Sequence, residues 1–149
     1  MKQILVIAAH PDDEVLGCGG TIANHIRNGD EVHVLILAEG MTSRDYTRNR
    51  AGRRDDLIKL RNMTNEAHKI LGSSSVKLVD FPDNRMDSVD LLDIVKVVEN
   101  EINKRKQFDE LIAKADREFS DEDYINSKNS YESALALYQQ EYYPKQKLA

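Results

Sequence analysis

Cysteine occurs once in this chain of 149 residues, as Cys18, and tryptophan does not occur at all. A single thiol excludes an internal disulfide and a zinc site built from cysteines, and a cytoplasmic protein is the expectation. No apolar run approaches the ~20 residues needed to span a bilayer, so no membrane partner is expected. Ile4–Ala9, behind Lys2 and Gln3, superficially resembles the apolar part of a leader. It runs straight into His10-Pro11-Asp12-Asp13-Glu14 with no small-residue cleavage site, and reads instead as a first strand. A basic excess is also lacking. Lys and Arg total 21 against 26 Asp and Glu, a net charge of −5, which argues against a nucleic-acid surface. Gly, Pro and Ser are absent between Asp90 and Phe119, which excludes a flexible linker there. No histidine follows His68.

What remains is a globular composition, 40% hydrophobic and 32% charged, sufficient for one ordinary core or a small core with an appendage. Ile4-Leu5-Val6-Ile7-Ala8-Ala9 is continuous and partly β-branched, as suits a strand buried on both faces of a parallel sheet. After Gly17, Gly19 and Gly20, residues Thr21, Ile22, Ala23 and Ile26 carry helical spacing up to a stop at Asn28-Gly29. Glu31–Leu37 reads as a second buried strand. A polar loop, Glu39–Asn49, comes next. Leu57, Leu60, Met63, Ala67, Ile70 and Leu71 define a second helix ended by Gly72, and Val76–Val79 a third short strand. The order predicts an α/β fold: a Rossmann-like parallel sheet, truncated at about three strands, with right-handed crossovers.

The pattern changes after Asp90. Leu91, Ile94, Val95, Val98 and Ile102 form a helical stripe whose phase continues through Phe108, Leu111, Ile112, Ala115 and Phe119. One long helix from about Val89 to Phe119 is predicted. Ser120-Asp121 ends it, and Tyr124, Ala134, Leu135 and Tyr138 mark a further helix stopped near Pro144. Residues 107–149 therefore read as an all-helical C-terminal extension, continuous with the preceding helix.

The chemistry concentrates at His10-Pro11-Asp12-Asp13-Glu14, directly after the first strand, where open α/β sheets gather their functional groups. Imidazole with carboxylate suits zinc or another divalent first-row metal. Of two adjacent aspartates on a turn, one can bind metal while its neighbour faces the bound water and takes its proton. The glycines beyond are expected to let the backbone approach closely, and the following helix N-terminus favours negative charge. Simple turn chemistry, with Asp12 or Asp13 capping the next helix, is the alternative.

The run Ala9-His10-Pro11-Asp12-Asp13-Glu14-Val15-Leu16-Gly17-Cys18-Gly19-Gly20-Thr21 resembles the signature of the LmbE-like (PIG-L) N-acetylglucosaminyl deacetylase superfamily. Gly29, Glu39-Gly40 with Arg44, Ala67 with Leu71-Gly72, and Phe81-Pro82-Asp83-Asn84-Arg85 are similar to that family too. The resemblance covers residues 1–106. It implies hydrolysis of an N-acetyl group from an amino sugar or its conjugate, usually with zinc. Carried over by the motif, His10 and Asp13 are metal ligands and Asp12 the general base. Arg44, Asp83, Asn84 and Arg85 are substrate-side candidates.

The pattern then breaks. Family members supply a third ligand, a histidine, from their second half, and this chain has only His10, His25, His33 and His68. The latter three fall on helices or a strand, where histidines are usually structural. Residues 107–149 instead loosely resemble a tetratricopeptide-type helical hairpin, through Phe108, Leu111-Ile112, Ala115-Asp116, Tyr124, Tyr131, Ala134-Leu135 and Tyr143-Pro144. One such unit needs neighbours to bury its face. The expectation is a deacetylase-type domain, 1–106, with weakly held zinc and little or no activity alone, joined to a helical hairpin. The alternative is a non-catalytic scaffold on a joined or rearranged chain. A truncated sheet and a lone hairpin both predict a homo-oligomer, or a helical tail folded back over the exposed sheet.

Overall fold

The computed structural model describes residues 2–139 and 142–148, of Tyr142 the backbone alone. By packing, the chain divides into two compact units, residues 1–91 and 92–149. The division falls ahead of the 106/107 boundary drawn from the change in sequence character.

The first unit is built on three parallel strands: β1 (Gln3–Ala8), β2 (Glu31–Ala38) and β3 (Ser75–Phe81), in the order β1-β2-β3. The register runs from Gln3 opposite Glu31 to Ala8 opposite Ile36, and from His33 opposite Ser75, with an irregularity between Ile36 and Ala38. Central β2 is buried from Val32 to Ala38, which is why its sequence, His33 apart, is apolar without alternation. One face of the sheet carries Ile4, Val6 and Ala8, then Val32, Val34 and Ile36, then Val76 and Leu78. The period of two is that of the pleat. Against this face pack Cys18, Ile22 and Ile26 from α1 (Asp13–Arg27) and Leu71 from α2 (Arg54–Leu71). Each fully buried Val, Leu or Ile contributes about 1.5–3 kcal/mol. Buried His33 joins all three strands, its ring nitrogens 2.9 Å from Ser75 Oγ and from Gln3 Oε1.

Two local expectations are corrected. Helix α1 starts at Asp13, not after the glycines, and runs through Gly17, Gly19 and Gly20 with a kink at Cys18 (φ −141°, ψ 19°). A Cβ on Gly17 or Gly20 would meet nothing within 4 Å. These glycines therefore loosen the first turns of the helix rather than admit a close neighbour.

The second unit is helical. Helix α3 (Leu91–Ser120) is continuous through residues 106 and 107, as the unbroken apolar phase required. Helix α4 (Tyr124–Leu137) is capped by Asp123, whose side chain accepts from Asn126 N–H. Tyr138 caps its end, so the helix stops before Pro144. Pro144 instead lies in the first turn of a further helix, α5 (Tyr142–Leu148), where its missing N–H costs nothing. Phe108 and Ala115 of α3 are buried, as are Tyr131 and Ala134 of α4. Ser127 donates to the Ala115 carbonyl at 3.0 Å, and the Tyr131 and Tyr143 hydroxyls both donate to Asp116. Burial and the Asp116 carboxylate push the Tyr131 hydroxyl pKa well up. Phe108 meets Tyr138 edge-on, centroids 5.5 Å apart. No helix among the described residues is long and apolar enough to cross a membrane.

Candidate functional site

The carboxyl ends of the three strands are tied side by side. Ala38 N–H donates to the Ala9 carbonyl at 2.7 Å, and Glu39 N–H to the Phe81 carbonyl at 3.1 Å. The chain leaves β1 through His10 and Pro11, leaves β2 through Glu39 and Gly40, and leaves β3 through Pro82 and Asp83. Gly40 has φ +78°, and a Cβ there would lie 2.8 Å from Pro11 Cδ and 3.1 Å from Leu60 Cδ2. Only glycine fits between the first loop and α2.

At this edge the structure brings His10, Asp13 and Asp83 together. Asp13 Oδ2 accepts from the His10 backbone N–H at 3.0 Å and lies 3.2 Å from His10 Nδ1. Asp83, buried, sets Oδ1 3.2 Å from His10 Nε2 and accepts from Ser43 N–H on Oδ2 at 3.2 Å. The Nε2–Oδ1 approach is an ion-pair distance without hydrogen-bond alignment, so the buried Nε2 is left unsatisfied. An imidazole flanked by two carboxylates is a ligand-rich corner. Among the described residues, however, no three His, Cys, Asp or Glu side chains converge on one metal position. The orphaned Nε2 faces Asp83, while Asp13 lies on the Nδ1 side of the same ring, so the two do not meet at one metal position. The residues present therefore do not complete a metal site.

Asp12 occupies the turn between His10 and α1 with φ 142° and ψ −28°, a conformation sparsely populated by non-glycine residues. It stands at the N-cap position, yet its side chain makes no capping hydrogen bond and is exposed. The capping alternative is thus excluded for Asp12. Its backbone is clasped from behind: Glu14 Oε2 accepts Asp12 N–H at 3.1 Å, while Glu14 Oε1 meets His68 Nε2 at 2.9 Å. Burial raises the Glu14 pKa, but the His68 contact and the backbone N–H bonds lower it by more, so the net shift is down. His68 Nδ1 lies 3.0 Å from Ser73 Oγ.

The other predicted residues separate into two groups. Arg44, on a short 3-10 turn (Thr42–Arg44), and Asn84 (φ 51°) are exposed. Arg85 turns back to the polar loop, Nη2 donating to the Asp45 carbonyl at 3.0 Å. Asp83 is a buried brace between His10 and Ser43 rather than an open turn residue. Sequence reading missed the Glu14–His68 pair, whose members are 54 positions apart. It also missed how the polar loop is held. Glu39, buried, accepts from Thr42 Oγ1 and from Arg48 Nε at 2.9 Å. Arg53 forks onto Asp45, Nη2 to Oδ1 at 2.7 Å. The only advance signal was the density of arginine and aspartate between residues 44 and 56.

The family model described as "PIG-L: GlcNAc-PI de-N-acetylase" matches residues 5–132, past residue 106 and into α4. An uncharacterized deacetylase, YaiS of Escherichia coli, is 29% identical over 104 residues, 70% of this chain and 50% of that protein. A 1D-myo-inositol 2-acetamido-2-deoxy-alpha-D-glucopyranoside deacetylase of Rhodococcus opacus is 49% identical over 39 residues, 26% of this chain and 13% of that protein. The solved structure of N,N'-diacetylchitobiose deacetylase from Pyrococcus horikoshii shares the fold, with TM-score 0.51, 23% identity, and coverage of 76% of this chain and 38% of that one. The chain thus spans half or less of the length of each of these relatives. With the family model covering most of its length, the chain belongs to the PIG-L, GlcNAc-PI de-N-acetylase, family.

Proposed function

We propose that this chain carries the base-bearing part of an amino-sugar deacetylase centre, acting on an N-acetylated amino sugar or its conjugate. In this reading Asp12 is the general base, and His10 and Asp13 are ligand positions for zinc or another divalent first-row metal. The observation that carries it is Asp12 itself: an exposed carboxylate with no partner among the described residues, held in a strained backbone by the buried Glu14–His68 pair, beside the His10–Asp13–Asp83 cluster. Such a carboxylate can take a proton from water as that water adds to the acetamide carbon, and return it to the departing amine nitrogen as the C–N bond breaks. Arg44 and Asn84 face solvent at the same edge and are the direct substrate contacts. Asp83 and Arg85 serve the substrate side by fixing the loop that carries Arg44. The names of the relatives, which include an acetamido-sugar deacetylase, support the substrate class.

Two ligand positions without a third leave the carbonyl unpolarised, so the chain alone is expected not to turn over N-acetylglucosamine-type substrates. The test is free-amine release with zinc in excess, against an Asp12→Asn variant, with metal content measured after purification. Background release equal in both proteins, with sub-stoichiometric zinc, is the expected result. Robust release that disappears in Asp12→Asn overturns the inactivity and places the third ligand elsewhere, in a second copy or another carboxylate. Robust release unaffected by Asp12→Asn overturns the base assignment.

A further inference from the structure

Arg54, Leu57, Ile58 and Arg61 recur on α2 at i, i+3, i+4 and i+7, which places them on one face of the helix. That face, with Leu78 and Val79 of β3, lines a cavity of about 290 Å³. None of His10, Asp12 and Asp13 lines it. Arg50 at its rim is already neutralised: Nε stands 2.9 Å from Glu39 Oε2, and Nη1 pairs with Asp80 Oδ2. Glu39 is further committed to Arg48. The two carboxylates that line the cavity are therefore taken. The Arg54 and Arg61 guanidiniums donate no hydrogen bond and join no ion pair among the described residues. Two unpaired guanidiniums thus border one apolar-floored cavity, in a chain whose net charge is −5. Long arginines can lie over apolar surface with solvated heads. Here, however, they bracket Leu57 and Ile58 on the helix face that lines the cavity, within reach of an anion bound there.

We propose that this cavity is a binding site for a small organic oxyanion, a carboxylate or phosphate monoester on a compact apolar body. The guanidinium forks of Arg54 and Arg61 take the oxygens, as planar bidentate donors do. Leu57, Ile58, Leu78 and Val79 take the body. The volume lies at the small end of ligand sites and suits a single ring bearing one charged group.

The experiment titrates the full chain with phenyl phosphate, benzoate, inorganic phosphate and benzyl alcohol, followed by backbone amide shifts. Saturable shifts at Leu57, Ile58, Leu78 and Val79 are expected with phenyl phosphate or benzoate, and the stronger of the two identifies the oxyanion. Inorganic phosphate should bind more weakly, and benzyl alcohol should not saturate. Arg54→Gln and Arg61→Gln should each weaken binding roughly tenfold, with Arg54→Lys losing less. Both arginines are exposed, so an unchanged melting temperature accompanies the loss. Three results overturn the proposal: no saturation at millimolar ligand, benzyl alcohol binding as well as the anions, or undiminished affinity in the double glutamine variant. Inorganic phosphate binding as tightly as phenyl phosphate overturns the apolar half of the site.

Discussion

His68 Nε2 stands 2.9 Å from Glu14 Oε1, and both residues are 2% exposed. The pair fastens α2 to the turn that carries Asp12, because the second Glu14 oxygen holds Asp12 N–H. His68→Ala leaves a buried carboxylate without its partner and is expected to cost about 3 kcal/mol, measured by chemical denaturation. Replacing both residues with apolar ones of similar volume should cost less than that single change. A His68→Ala variant within about 0.5 kcal/mol of the parent refutes the coupling.

Gly40 combines a positive φ with a Cβ position that already touches Pro11 and Leu60. Gly40→Ala should destabilise the first unit by about 2 kcal/mol, part backbone strain and part overpacking. Thermal unfolding of the variant checks this, and a neutral outcome means the loops give way freely.

Asp45 is held below its ordinary pKa of 3.8, chiefly by the hydrogen bonds from Arg53, which outweigh the opposing desolvation, with the positive charges of Arg53 and Arg85 adding to the lowering. A carboxylate depressed in the folded state adds stability above its unfolded pKa and loses it as pH falls through the folded one. In Arg53→Gln the Asp45 carboxyl shift should titrate closer to 3.8. An unmoved midpoint shows that the fork does not operate in solution.

Helix α3 crosses residues 106 and 107 without a break. Lys106 is exposed, so Lys106→Pro tests the backbone alone. It should cost about 3 kcal/mol and reduce helical circular dichroism. Full retention of both would mean the two halves of α3 hold independently.

Strands β1 and β3 end the sheet, and Ile7 on β1 is 43% exposed. A strand paired on one side only, with an exposed apolar residue on its face, favours self-association. We expect a homo-oligomer at micromolar concentration, read by light scattering; a monomeric mass at that concentration contradicts it.

Much of this architecture was legible in the order of residues. Buried parallel strands announce themselves as runs such as Val34–Leu37, since a polar residue on either face must find a partner, as His33 does. The phase of Leu111, Ala115 and Phe119 carried α3 across a change in composition. His10, Asp12 and Asp13 were placed by their position after a strand. Four features were not legible, for definite reasons. The start of α1 at Asp13 runs against the weak helix propensity of three glycines. The Glu14–His68 contact depends on tertiary approach across 54 positions. Asp83 is polar and turn-like locally, yet buried by what packs on it. Pro144 reads as a stop, but proline is equally at home in a first helical turn.

The backbone at Asp12 has a further consequence. Its φ of 142° suits glycine and penalises any residue with a side chain. Asp12→Gly should therefore raise the melting temperature, by relief worth about 1 kcal/mol or more, while deleting the carboxylate. A selection for heat resistance alone would drift toward glycine here; a selection for hydrolysis would hold the aspartate against that pull. Position 12 is thus a place where endurance and chemistry ask for different residues.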